Sequence, residues 1–151
     1  MDADLDLAAR WQSLTNKLQE FGYEDIPQVP PENGWVHIQA GKPKIGVWVM
    51  PDNQLPGMLE DFVGYLIPPE DRLREKIVTL LEEIEGEQLN LYSQTHRQKV
   101  FIHSWLALQK KAGMPMGQAI TAKALSYDSA LAFQFISWLK NLFVLSESLA
   151  E

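Results

Sequence analysis

The acids are the most obvious chemistry in this chain, and they gather in two places. Asp2, Asp4 and Asp6 alternate at the N-terminal end, while Asp52-Asn53 and then Glu60-Asp61 follow an apolar stretch near residue 50. Two carboxylates two residues apart at the end of a strand point the same way, and carboxylate oxygens are what Mg²⁺ takes as ligands. The same acids ahead of a helix are ordinary capping residues, with Asp4 at or near the N-cap and the charges facing the positive end of the helix dipole. Asp52, Glu60 and Asp61 stand where a strand ends, which is where open α/β sheets bind ligands and metals. Turn chemistry and first-turn acids account for the same residues without a ligand. Lys99 and His103 are one helical turn apart and could share a surface, although a histidine between Phe101 and Trp105 is more simply a packing or capping residue.

Other chemistries are excluded by what the sequence lacks. It contains no cysteine, so disulfides, thiolate zinc sites and cysteine nucleophiles are ruled out. There is no glycine-rich phosphate loop, serine nucleophile elbow or histidine-rich zinc pattern. Twenty Asp plus Glu against thirteen Lys plus Arg leave a formal net charge of −7, which opposes non-specific binding to nucleic acid. Carboxylate-held Mg²⁺ would reverse the local sign, so nucleic acid is an expected partner through the metal only.

The elements that must position these acids follow from the apolar spacing. Leu7, Trp11, Leu14, Leu18 and Phe21 predict a helix over about 5–21, stopped by Gly22. Prolines 27, 30 and 31 and the pair Asn33-Gly34 make 24–34 a loop. Short strands are expected at 35–39 and 45–50. The second is nearly all apolar, as a strand buried on both faces would be. The sequence leaves open whether they pair as an antiparallel hairpin or join a parallel sheet; the short link favours the hairpin locally, since parallel pairing needs a longer crossover. Met58, Leu59, Phe62 and Leu66 mark a helix after Pro56-Gly57. Further helices are predicted near 72–84, 94–111, 116–125 and from about 131 onward. The 151 residues are the size of one domain, with an α/β sheet region over 1–67 and a helical region over 68–151. No apolar run approaches a membrane span and no secretory signal opens the chain, so a cytoplasmic location and no membrane partner are expected.

Two blocks resemble a known group. Ile45-Gly46-Val47-Trp48-Val49-Met50-Pro51-Asp52-Asn53, continuing through Pro56-Gly57-Met58-Leu59-Glu60-Asp61-Phe62, resembles the signature of an uncharacterised bacterial TOPRIM-like family. Ile102-His103-Ser104-Trp105-Leu106-Ala107 with Gly117-Gln118-Ala119-Ile120-Thr121-Ala122 resembles its C-terminal helical block, and Asp2-Ala3-Asp4 looks like its acidic element. The resemblance implies a parallel, Rossmann-like sheet and a Mg²⁺ site at the strand ends, as in topoisomerases, primases and overcoming-lysogenization-type nucleases. Asp2 and Asp4 would then be metal ligands, with Asp52, Glu60 and Asp61 as supporting acids. The family's glutamate-bearing first strand has no counterpart ahead of Asp2, so the sheet is expected to be truncated and inactive as written, or the true start to lie upstream. Truncation would leave the apolar face of the first helix needing a substitute partner, through self-association or repacking. The alternative is a non-catalytic module whose helical C-terminal half, above all the apolar stretch 133–149, docks a partner protein.

Overall fold

The computed structural model describes residues 1–143, and the part of the 133–149 stretch beyond Phe143 lies outside them. The chain is a mixed α/β structure with about 49% helix and a small two-stranded sheet. It forms two compact units, one built from Met1–Met58 and the chain from Ala130, the other from Leu59–Ser129.

The first unit holds α1 (Leu7–Glu20), β1 (Trp35–His37), β2 (Ile45–Val47) and α6 (Ala130–Phe143). Asp6, not Asp4, is the N-cap of α1: its side chain accepts the Ala9 N–H at 2.9 Å. Asp4 cannot do so because it sits at φ 54°, three residues before the helix begins. The expected hairpin is antiparallel, with Trp35 opposite Val47 and His37 opposite Ile45. Beyond it the chain makes a parallel contact. Asp2 bridges Met50, the Ala3 N–H donates to the Met50 carbonyl, and the Met50 N–H donates to the Met1 carbonyl. Residues 1–3 therefore run beside the continuation of β2, with α1 as the first part of the return.

Alternation along this small sheet sends side chains to two helices. Ile45, Val47 and Val49 face α1 in a core with Ala3, Trp11, Trp35 and Leu14. Trp48 and Gly46 face α6: Trp48 packs edge-on against Phe135 at 5.2 Å between ring centroids, and Gly46 lies under Leu142. Gly34 is the tightest point. Its φ is +73°, and a Cβ there would stand 2.5 Å from Cδ1 of Trp138. Trp138 lies that close because its indole donates to the Trp35 carbonyl at 3.2 Å.

The second unit is helical: α2 (Leu59–Tyr65), α3 (Arg72–Gly86), a 3₁₀ turn at Gln94–His96, α4 (Arg97–Ala107) and α5 (Met116–Thr121). Its core is Phe62, Val63, Leu66, Ile77, Leu81, Phe101, Ile102, Trp105 and Leu106. Gly64 lets α2 approach α4, where a Cβ would meet the Gln98 amide at 2.6 Å. Among the described residues no helix is long and apolar enough to cross a membrane.

Candidate functional site

The N-terminal segment pins both ends of the loop that carries Asp52. Ala3 bonds to Met50 at one end, and the Asp4 N–H donates to the Gly57 carbonyl at 2.8 Å at the other. This brings the backbones of Asp2 and Asp4 to the rim of the Pro51–Gly57 loop. The side chains of Asp4 and Asp52 have partners there. Asp4 reaches Nε of Arg10 at 3.2 Å, an ion pair in which both side chains are about half exposed. Asp52 accepts the backbone N–H groups of Gln54 and Leu55 at 3.0 and 2.8 Å, which is the turn chemistry of an acid folding its own loop. Asp2 keeps a contact within the chain through its backbone bridge to Met50.

Asn53 anchors that loop from inside. It is 1% exposed at φ 63°, its amide oxygen accepts the Val49 N–H at 2.7 Å, and its NH₂ donates to the Glu32 carbonyl at 3.1 Å. A buried amide satisfied on both sides fixes where β2 ends, and its neighbour Gln54 lines an open cleft of about 400 Å³ with Trp11, Gln12, Gln28 and Pro30. Sequence reasoning took Asn53 only as a turn residue. The signal for more was a carboxamide immediately after an apolar run.

Glu60 and Asp61 belong to the helical unit. Glu60 is buried, and its Oε1 lies 3.8 Å from Nζ of Lys99 on α4. His103, one turn on, is exposed. Asp61 is partly buried and held by contacts of its own. Further along, Glu85 is flanked by Tyr92, whose hydroxyl donates at 2.7 Å, and by Arg97, whose Nε approaches at 2.8 Å. The Tyr92 hydrogen bond, with Arg97 adding to it against partial desolvation, holds the Glu85 carboxyl below its ordinary range. Desolvation first, and then the bond to Glu85, pushes the Tyr92 phenol up.

Among the described residues no three His, Asp or Glu side chains come together as a metal-ion donor set. As they stand, the acids do not fit a Mg²⁺ site: Asp4 is paired with a cation and Asp52 is turned into its loop. No step is derived through a metal.

The geometry defines a class of small α/β protein in which the conspicuous acids cap, pair and fold. A family described as a protein of unknown function (DUF3226) matches residues 1–144, and the chain belongs to that family. Neither the curated proteins nor the solved structures contain a match to it.

Proposed function

We propose that this is a TOPRIM-like protein that works by binding a protein partner and performs no Mg²⁺-dependent phosphodiester chemistry itself. The kinship is supported by the Ile45–Phe62 sequence block and by the parallel pairing of residues 1–3 with Trp48–Met50 around α1. The observation that carries the binding reading is the commitment of the acids: Asp4 to Arg10, Asp6 to the α1 amides, and Asp52 to two N–H groups of its own loop. Held this way, these carboxylates do not come together as a shared donor set among the described residues. The docking face is not the α6 stripe as a whole. Trp138 is buried, Leu142 packs over Gly46, and among the described apolar residues of that stretch only Phe133 and Phe143 stand well exposed.

A second reading, the Mg²⁺-dependent nuclease or related enzyme, is favoured by one feature. The Asp2-Ala3-Asp4 segment is bonded across both ends of the Asp52 loop, so a modest rearrangement could turn three carboxylates together. The test is cleavage of single- and double-stranded DNA and RNA by the 151-residue chain in Mg²⁺ or Mn²⁺. The expected result is no cleavage above the metal-free control, with calorimetry showing no saturable Mg²⁺ binding at about millimolar concentration. Cleavage that disappears in Asp4→Asn would overturn the binding reading.

A further inference from the structure

Charge is sorted along the helical unit. From Leu59 to Glu87 nine Asp or Glu stand against three Arg or Lys, whereas from Gln88 to Tyr127 there are five Arg or Lys and no acid. Each half carries one exposed feature. On the acidic side, the loop after α3 presents Leu89, 63% exposed, and Leu91, fully exposed. A single exposed leucine is ordinary, but these two sit on a fastened loop. The Leu89 N–H donates to the Ile84 carbonyl at 3.0 Å, the Asn90 NH₂ to the Tyr92 carbonyl at 3.1 Å, and the Tyr92 hydroxyl to Glu85. Exposed Glu83 and Glu87 lie one turn apart at the start of this loop. On the basic side, α5 and the turn before it frame a mainly apolar hollow of about 370 Å³, lined by Lys111, Met114, Gln118, Thr121 and Ala122. Lys110 and Lys123, both exposed, adjoin it in sequence.

The two features are complementary and too far apart to meet within one chain. Arg97, the first residue of α4, holds Glu85 beside the leucine loop at 2.8 Å. At the other end of α4 the Leu106 carbonyl accepts the Gly113 N–H at 2.9 Å and so fixes the turn that leads into the hollow. The eleven residues of α4 keep the two about 16 Å apart. Loop and hollow therefore join only between two copies, head to tail. The loop brings two apolar side chains to an apolar floor, and its glutamates bring the sign opposite to that of the lysines on the rim. Little order is lost on docking, because the backbone that carries the leucines is already held. An anionic membrane or nucleic acid would be repelled by Glu83 and Glu87.

We propose that the helical unit binds a second copy of this chain head to tail, the Leu89–Leu91 loop of one copy seating in the Lys111–Ala122 hollow of the next. The contact stands on this unit alone and not on the partner-binding reading above, so either fails without the other. No two-fold axis closes such a contact, and the loop and hollow left at the ends take up further copies. Sedimentation equilibrium of the 151-residue chain is the measurement. The mean mass should rise above the 17.2 kDa of one chain between about 10 µM and about 1 mM, and fall back in about 0.5 M NaCl. Leu91→Asp spoils the loop, and Lys110→Glu with Lys111→Glu reverses the rim. Both variants change only exposed residues, and each should weaken association at least about tenfold. Mixed in equal amounts, the two variants should form a heterodimer and nothing larger, because one keeps an intact hollow and the other an intact loop. A parent chain that stays monomeric at about 1 mM, or association that survives in either variant, would overturn the proposal. So would a mixture of the two variants that stays monomeric, since only a symmetrical contact is lost from both variants and not restored by mixing.

Discussion

The two units hold the polar atoms of their aromatic rings by opposite means. In the α/β unit, aromatic donors bond to main-chain carbonyls: Trp11 to Pro27, Trp48 to Pro51, Trp138 to Trp35 and Tyr23 to Pro43. In the helical unit the equivalent donors bond to charged side chains, Trp105 to Asp71 at 3.0 Å and Tyr92 to Glu85 at 2.7 Å. The first arrangement is as good as the backbone path that presents each carbonyl. The second is as good as the ionisation and rotamer of a carboxylate. The difference teaches where each unit is vulnerable: turns and glycines in one, charges in the other.

The comparison breaks most easily at Gly34. Alanine there must hold a left-handed φ and push its methyl into Trp138 and Trp48, and Trp138 cannot retreat without losing its bond to the Trp35 carbonyl. The combined strain and overpacking should cost about 2–4 kcal/mol. Urea denaturation followed by tryptophan fluorescence measures it. A loss below about 0.5 kcal/mol would show that the ring cluster is not tied to the turn in this way.

A smaller effect should come from Asp71, which serves two groups at once. One oxygen caps α3 by accepting the Leu73 and Arg74 N–H groups, and the other accepts the indole of Trp105, which is fully buried. Asp71→Ala should cost about 2 kcal/mol, from the cap plus an unpaired indole N–H. Asp71→Ser keeps a capping oxygen but cannot reach the indole, so it should recover about half. If Trp105→Phe adds fully to Asp71→Ala in a double-mutant cycle, the side-chain bond carries no coupling and the contrast between the units fails.

Much of this frame was legible in the sequence. The spacing of Leu7, Trp11, Leu14 and Leu18 gave α1 to within two residues, and the short link after residue 39 favoured the antiparallel hairpin without deciding it. What could not be read depended on partners far along the chain. Trp138 meets Trp35 across 103 residues, and no local pattern announces that. The acids show the same limit at short range. Asp2 and Asp4 have strand spacing, but Asp4 turns to a positive φ and its carboxylate pairs with Arg10. The direction of a side chain at an element's end is set by the backbone beyond it, which residue types alone do not fix. The Asx turn at Asp52 was foreseeable, whereas burial of the neighbouring Asn53 needed the loop's anchors to be known.

The finest test of the contrast is pH, because in the helical unit the Tyr92 hydroxyl rests on a carboxylate whose ordinary range is shifted. Glu85 has its carboxyl lowered, chiefly by the Tyr92 hydrogen bond and further by Arg97, so its contribution to stability is present above the ordinary carboxylate value. It is lost as pH falls through the lower folded value. Tyr92 has its phenol raised, by desolvation first and by Glu85 second, so its contribution is present below the ordinary phenol value. It is lost as pH rises through the higher folded value. Between those limits, about pH 5 to 9, both groups hold the forms that bond to each other. The stability difference between the parent and Tyr92→Phe should therefore be largest in that window and shrink toward both extremes, as read from urea midpoints. Both groups reach solvent, so the difference should be modest and diminish with salt if Arg97 shares the load. A Tyr92→Phe difference that stays constant from acid to alkaline pH would mean the ring is held by packing alone, and the helical unit would then resemble its neighbour.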